Sequence, residues 1–266
     1  MKYQTKTLFD YATLRNYAGH GFKITSLASF TQPDPTKERK FTPKGEAGNE
    51  EKLASNLSRS RNRIFELAFC NPWELFVTFT LDSAKYDRHD LGKFKKDLSQ
   101  FLRDYRKKTG ERVKYLLIPE PHQDGAWHMH GFLMGLPLDH LREFHEGERL
   151  PDKIRKRLAA GKHVYTWEPY ARKFGFADIE RVENHEAASK YATKYITKET
   201  MHTTAELGAH IFYTSQGLNG AEIVRRDILS DEIDNPDYQN ERVTVRWFAP
   251  DAREIAESYF DEVHPK

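Results

Sequence analysis

The middle of the chain alternates between strand-forming and helix-forming sequence. Residues 75–81 (LFVTFTL) are mostly β-branched or aromatic and carry no charge, so they predict a central strand. Apolar residues at helical spacing then run from a capping Asp90 to a terminating Gly110, which predicts an amphipathic helix. Segments 113–119 and 127–134 are again apolar and are separated by a turn sequence, so they predict a β-hairpin. This order of elements is typical of an α+β fold.

Weaker patterns complete the order of elements on either side. Apolar stripes, capping residues and short β-branched runs predict helices over 50–69, 138–160 and 184–198, and strands over 177–182, 211–213 and 243–247. Successive strands usually lie beside one another, and short connections make them antiparallel. We therefore expect an α+β fold with a central antiparallel sheet of about five strands and helices packed on one of its faces.

Proline, glycine and charged residues crowd the sequence before the first predicted helix. This composition predicts a loosely structured N-terminal arm over residues 1–49. Residues 50–220 contain most of the predicted elements and are expected to form the main domain. Residues 221–266 predict a C-terminal extension, partly strand, that packs on the same domain.

The composition excludes several classes of protein. The single cysteine, Cys70, rules out a disulfide framework and a four-cysteine zinc site. No apolar run reaches the roughly 18 residues of a membrane span, and the N-terminal residues lack the apolar stretch of a signal peptide. We therefore expect a cytoplasmic protein with no membrane partner. The formal net charge is only +2, so a surface that binds nucleic acid must be local.

Two histidines, His128 and His130, are two residues apart on the strand predicted over 127–134. Side chains alternate between the faces of a strand, so both imidazoles point to the same side, where they suit a divalent metal. Glu120, at the end of the paired strand, is the best third ligand, and His122 competes for that place. A carboxylate beside two imidazoles suits Mn²⁺ or Mg²⁺. The chain has 12 histidines, so the spacing also arises by chance, and two half-buried histidines on a sheet are the alternative interpretation.

Two tyrosines and two lysines share one face of the helix predicted after Asn184. Tyr191 precedes Tyr195 by four residues, and each tyrosine is followed three residues later by a lysine, Lys194 or Lys198. At about 100° per residue, the four side chains project within roughly 100° of one another. A phenol has a reference pKa of about 10, and a nearby cation favours the nucleophilic phenolate. The pattern indicates a nucleophilic site, although such spacing also occurs on ordinary surface helices.

In this order along the chain, the two patterns resemble those of the HUH endonuclease superfamily. Its members carry a histidine–hydrophobic–histidine strand, followed by a helix with one or two nucleophilic tyrosines. Met129 is the hydrophobic residue here, and the run at 191–198 resembles the two-tyrosine helix of rolling-circle replication initiators (Rep proteins) of phage and plasmid type. Residues 76–80 resemble the first Rep motif, and the segments 57–73 and 213–218 resemble flanking segments of such proteins.

The resemblance implies a ferredoxin-like or RRM-like HUH fold and a metal-dependent reaction. That reaction is the site-specific nicking of a single-stranded origin through a 5′-phosphotyrosine intermediate, which leaves a 3′-hydroxyl to prime rolling-circle DNA replication and permits later joining. The residues implied are the ligands His128, His130 and Glu120 for Mn²⁺ or Mg²⁺, the nucleophiles Tyr191 and Tyr195, and their partners Lys194 and Lys198. We further expect the basic side chains Arg59, Arg61 and Arg63 to hold the DNA.

The resemblance also implies partners and leaves alternatives open. The DNA partner would be a single strand or an origin hairpin. The sequence has no Gly-x-x-x-x-Gly-Lys-Ser/Thr run, so unwinding is expected from a host helicase and synthesis from a DNA polymerase, in the cytoplasm of a bacterial host. A transposase or relaxase with the same chemistry is the nearest alternative. A non-catalytic DNA-binding protein on this scaffold, and an α+β protein in which the motifs are incidental, are the others.

Overall fold

The computed structural model describes four stretches of the chain, residues 11–27, 50–195, 210–240 and 243–260, with side chains described from residue 56 onward in the first helix. By its internal contacts the chain divides into two compact units. The larger unit is Thr42–Leu218, and the smaller unit combines Met1–Phe41 with Asn219–Lys266.

The described elements are named in chain order. The strands are β1 (Tyr11–Asn16), β2 (Phe22–Leu27), β3 (Leu75–Leu81), β4 (Lys114–Pro121), β5 (Trp127–Met134), β6 (Arg142–Glu143), β7 (Tyr165–Thr166), β8 (Gly175–Arg181), β9 (Tyr213–Thr214), β10 (Glu222–Ile228), β11 (Tyr238–Gln239) and β12 (Val243–Phe248). The α-helices are α1 (Glu50–Phe69), α2 (Leu91–Thr109), α3 (Asp152–Ala159), α4 (Glu168–Lys173), α5 (His185–Ala192) and α6 (Arg253–Glu257). None of these described helices is both long and apolar enough to cross a membrane.

The larger unit is built on one antiparallel sheet with the strand order β6-β7-β8-β3-β5-β4-β9. β3 lies near the centre, where its uncharged sequence fits, and β4 and β5 form the hairpin that the sequence predicts. The α+β class with a central antiparallel sheet is confirmed. Three two-residue strands, β6, β7 and β9, extend the sheet to seven strands.

Helices cover both faces of this sheet, which corrects the expectation that they pack on one face. On one side, Val77 and Phe79 of β3 are buried in a core that includes residues of α2 and α4. On the other side, Leu116 of β4 and Phe132 of β5 are buried against α1 and α5. Both faces carry large apolar side chains, so leaving either face to solvent would expose apolar surface at roughly 25 cal/mol per Å².

The segment 138–160 is not the single helix that its sequence predicts. It contains a short 3₁₀ helix at Leu138–His140, then β6, and only afterwards α3. Gly147 has a φ of 91°, which no helical residue adopts, and Pro151 immediately precedes the first residue of α3. The glycine and the proline interrupt a charged sequence that otherwise has helical character.

The helix that carries the tyrosines begins at the residue expected from its cap. The side chain of Asn184 accepts a hydrogen bond from the backbone N–H of Ala187, which satisfies a free donor in the first turn of α5. α5 ends at Ala192, and the chain tightens into a 3₁₀ helix over Thr193–Tyr195. The predicted continuation to residue 198 lies outside the described residues.

The smaller unit has an antiparallel sheet of its own, in the order β10-β1-β2-β12-β11. Leu14 of β1 and Ile24 of β2 are fully buried, and they form a core with Phe248, Ala256 of α6 and Phe260. One face of the sheet is therefore apolar and covered, as is usual for an antiparallel sheet with one buried face.

The ends of the chain depart from the boundaries that the sequence predicts. Residues 1–49 are expected to be a loosely structured arm, but β1 and β2 form a hairpin within that range. Residues 221–266 contain strands, and two of them, β10 and β12, pair with β1 and β2. Because these partners lie at opposite ends of the chain, the short strand patterns of the N-terminal segment have no local partner that would reveal a sheet.

Candidate active site

Strand β5 places two histidines on one face of the larger sheet. His130 lies opposite Thr78 of β3, while His128 lies between Thr80 of β3 and Glu120 of β4. The two imidazoles are parallel within 8°, and their ring centroids are 6.2 Å apart. The strand register thus gathers two imidazoles, two hydroxyls and a carboxylate on a single surface.

Each imidazole is held by a threonine of the neighbouring strand. Thr78 Oγ1 lies 3.0 Å from Nδ1 of His130, and Thr80 Oγ1 lies 3.1 Å from Nδ1 of His128. These hydrogen bonds fix the ring orientations and leave Nε2 of each ring for a ligand. The sequence analysis missed both threonines, although their alternate positions on β3 place them on one face of a strand.

Glu120 contacts one of the histidines directly. Its Oε2 lies 2.8 Å from Nε2 of His130, and its side chain is 42% exposed. The hydrogen bond from His130 lowers the pKa of this carboxyl below its usual range, with smaller contributions from the charges of His130, His128 and His122. Glu120 is therefore an accessible, ionised oxygen ligand at the edge of the histidine pair.

His122, the competing candidate, is close to the same surface. Its ring lies 5.5 Å from that of His128, and its Nδ1 is 3.2 Å from Oδ1 of Asp124. Burial lowers the pKa of His128 below its ordinary value, and the neighbouring imidazoles of His130 and His122 lower it further. His128 is thus favoured as neutral imidazole, the form that binds metals.

The chemistry of this donor set fits a divalent ion. Among the described residues, no three His, Cys, Asp or Glu side chains are already arranged as a metal-binding group. The oxygen of Glu120 instead occupies the position next to Nε2 of His130. Nevertheless, two imidazoles anchored through Nδ1 and an exposed carboxylate are the ligands and the outer-shell support that such an ion requires. His128, His130 and Glu120 are the residues that would hold it.

Tyr195 lies directly on the histidine pair. Its ring stacks on that of His130, with centroids 4.1 Å apart and planes within 7°. Burial raises the pKa of this phenol well above its usual range, and it is raised further by a hydrogen bond with Tyr191 and by the negative charges of Glu120 and Asp178. The hydroxyl is therefore protonated at neutral pH unless a cation arrives.

Tyr191 is the outer member of the tyrosine pair. Its ring meets that of Tyr195 edge-on at 5.4 Å and that of Phe76 at 5.6 Å, and it is 40% exposed. Lys194 Nζ lies over the Tyr191 ring, 4.9 Å from its centroid. One predicted lysine is thus beside the pair, whereas Lys198 lies outside the described residues.

A groove of about 450 Å³ opens beside the tyrosines. Its apolar side includes Phe76, Tyr191 and Tyr195, and Thr78 also borders it. Its polar lining is Lys153, Arg157, Asp178, Glu180, Arg181 and Glu183. Cations and aromatic faces therefore lie together next to the phenols, as a site for a nucleotide requires.

An arginine between two carboxylates forms the far wall of this groove. Arg157 Nη2 donates to both carboxylate oxygens of Asp178, at 2.6 Å each, and Nη1 donates to Glu180. The Nε atom of Arg157 is buried and has no hydrogen-bond partner among the described residues. The sequence analysis missed this cluster, because it depends on α3 packing against β8.

The three arginines expected to hold DNA are exposed on α1. Arg59 donates a hydrogen bond to Asn56, and Arg63 forms an ion pair with Glu66, at 2.9 Å. Helix α1 packs beside α5, so Arg59, Arg61 and Arg63 share the layer of the tyrosine helix. Their contact with DNA stays a prediction.

Comparison with known proteins gives a family match for the central part of the chain. Residues 74–200 match the model of a family of replication-associated proteins, described by its ORF2 members. The match covers just under half of the chain, and the histidines, Glu120 and both tyrosines lie inside it. No curated protein and no solved structure matches the chain significantly. The central part of the chain is therefore similar to replication-associated proteins, which associates it with DNA replication.

Proposed function

We propose that this protein is a metal-dependent HUH endonuclease that nicks and rejoins a single-stranded replication origin and thereby initiates rolling-circle replication. The observation that carries the proposal is the stacking of Tyr195 on His130 at 4.1 Å. A phenol nucleophile and the imidazole pair lie on one surface, where a single phosphodiester can reach both. The similarity to replication-associated proteins supports the biological process.

The proposed reaction is a transesterification. The oxygen of Tyr195 attacks phosphorus as its own proton leaves, and the bond to the 3′ oxygen breaks, which releases a strand with a free 3′-hydroxyl. The other strand end stays attached to the tyrosine as a 5′-phosphotyrosine. The number of phosphoester bonds is unchanged, so neither nicking nor joining needs ATP.

The residues around the phenol have defined parts in this proposal. Thr78 and Thr80 hold the imidazoles through Nδ1, and Lys194 adds positive charge beside the tyrosines. Mn²⁺ or Mg²⁺, when held by His128, His130 and Glu120, supplies a Lewis acid for the scissile phosphate. Tyr191 is proposed to carry out a second transfer that closes the replicated strand.

The proposed partners are a single-stranded or hairpin origin, a host helicase and a DNA polymerase, in the cytoplasm of a bacterial host. The groove beside the tyrosines suits the nucleotide that flanks the cut, because aromatic rings and cations line it together. The exposed arginines of α1 are proposed to contact phosphates.

The test uses single strands tiled across the DNA that encodes and flanks the protein, each labelled at either end and incubated with Mn²⁺. A 5′-phosphotyrosine predicts that a 3′-labelled fragment migrates with the protein on a denaturing gel, while a 5′-labelled fragment is released free. Tyr195→Phe serves as the matched variant. If folded protein yields no covalent product from any strand in Mn²⁺ or Mg²⁺, the proposal is wrong.

A further inference from the structure

The sheet of the smaller unit has a second face, opposite its apolar core. Paired residues of an antiparallel sheet share a face, so the register identifies this surface. It passes from Arg226 of β10 through Thr13 of β1 and Thr25 of β2 to Val245 of β12 and Tyr238 of β11. The core side chains Leu14 and Ile24 alternate with these and point the other way. We call this surface the outer face.

The charge of the outer face has one sign. Arg15, Lys23 and Arg226 lie on it by register. Among the described residues of the five strands, no Asp or Glu has a register position on this face. The protein as a whole has nearly balanced charge, with 42 basic and 40 acidic residues, so the acids are elsewhere. A local cationic surface of this kind complements a polyanion.

The outer face is also aromatic and apolar. Tyr238 is 55% exposed, and Ile223 and Ile228 are each 46% exposed. Lys23 Nζ lies 5.1 Å from the ring centroid of Trp247, so cation and ring are neighbours. Exposed apolar area on a folded domain commonly marks an interaction surface.

These two properties point to one class of ligand. A duplex presents mainly phosphates to a flat sheet, and its bases are already stacked on one another. A single strand offers both phosphates for the cations and unstacked bases for Tyr238 and Trp247. We propose that the outer face binds single-stranded DNA.

This inference rests on the proposed function for the identity of the ligand as DNA, and it adds a second binding surface. The outer face is formed by segments outside residues 74–200, the part that is similar to replication-associated proteins. It requires neither the histidines nor the tyrosines. Binding there is expected to be independent of metal and tolerant of sequence, because stacking and phosphate contacts do not read base edges.

The experiment measures binding of the full-length protein to fluorescently labelled oligo(dT) by anisotropy, in EDTA so that no strand is cut. The double variant Arg15→Ala/Arg226→Ala removes two cations, and Tyr238→Ala removes one exposed ring. For single strands, each lost phosphate contact reduces the slope of log affinity against log salt by about 0.7, so the double variant should lose about 1.4. Loss of one stacked base should weaken binding by about tenfold.

Arg253→Ala is the matched control, because Arg253 lies on α6 in the same unit and is paired with Glu257. It should leave affinity and salt slope unchanged, and circular dichroism should show that every variant is folded. Unchanged affinity and slope in both outer-face variants, or tighter binding of a duplex than of a single strand, would overturn the inference. Failure of the proposed nicking reaction would appear separately, as loss of the covalent product in Mn²⁺ while binding in EDTA persists.

Discussion

The hydroxyl oxygen of Thr78 lies 3.0 Å from Nδ1 of His130, across the pair of strands β3 and β5. On its other side, Nε2 of His130 lies 2.8 Å from Glu120. Both nitrogens of the ring therefore have partners, and a metal at Nε2 would take the place of the hydrogen bond to Glu120. The threonine would then hold the ring while the carboxylate turns from acceptor to ligand.

Thr78→Val should weaken Mn²⁺ binding by about tenfold or more, because loss of an outer-shell hydrogen bond typically costs 10- to 100-fold in metal affinity. Valine keeps the shape of the side chain and suits a strand, so the fold should persist. Titration calorimetry gives the affinity, and the rate of covalent product against Mn²⁺ concentration gives the functional effect. Thr109→Val is the control, since that hydroxyl bonds to the carbonyl of Tyr105 within α2. Equal Mn²⁺ affinity in the two variants would contradict the role of Thr78.

The two tyrosines should differ in their effects. Tyr195 stacks on His130, whereas Tyr191 is outside it and contacts Phe76, so Tyr195 is expected to attack first. Tyr195→Phe should remove the covalent product from a 3′-labelled strand. Tyr191→Phe should still form that product, but should join strands more slowly.

Tyr165→Phe is a suitable control for this pair, because Tyr165 belongs to β7 and packs against the core on the other face. Denaturing gels resolve the adduct and the joined strand in one experiment. A covalent product at the normal rate from Tyr195→Phe, or none from Tyr191→Phe, would reverse the assignment.

Local patterns predict those parts of the fold whose contacts are close in sequence. Residues 75–81 form β3 within the predicted bounds, because an uncharged β-branched run has few alternatives to a buried strand. The side-chain alternation of a strand also places His128 and His130 on one face. Helix α2 begins after Asp90 and ends at Gly110 in a left-handed conformation, as its caps predict.

Features that depend on distant packing are not predictable in this way. The stacking of Tyr195 on His130 depends on how α5 sits on the sheet, and the cluster of Arg157 with Asp178 depends on α3. The hairpin β1–β2 is completed by strands from the other end of the chain. A charged helical pattern over 138–160 predicts a helix, but Gly147 interrupts it.

The raised pKa of Tyr195 predicts an effect on stability at alkaline pH. In the unfolded chain a tyrosine ionises around its ordinary pKa of 10.0, whereas burial keeps Tyr195 protonated to higher pH in the folded protein. Below pH 10 the phenol is neutral in both states and contributes no pH dependence. Above it, the unfolded state loses the proton first, so the free energy of unfolding falls as pH rises.

Tyr195→Phe should therefore show a shallower alkaline decline than the original protein. Urea unfolding in EDTA at a series of pH values from neutral to alkaline measures it. Tyr86, whose pKa burial and a hydrogen bond to Asp97 raise to about 12, contributes equally to both proteins and cancels in the difference. Parallel stability curves for the two proteins would show that Tyr195 is not buried as described.

The ion cluster of Arg157 should stabilise the groove beside the tyrosines. Arg157→Met leaves Asp178, whose side chain is only 11% exposed, without its cation, and an unpaired buried charge costs about 3 kcal/mol. Adding Asp178→Asn should recover part of that loss, because the amide carries no charge. Urea unfolding of the two single variants and the double variant measures the coupling. Arg253→Met, which breaks an exposed pair with Glu257, should cost less than about 0.5 kcal/mol. If Arg157→Met costs no more than Arg253→Met, the cluster does not hold α3 against β8.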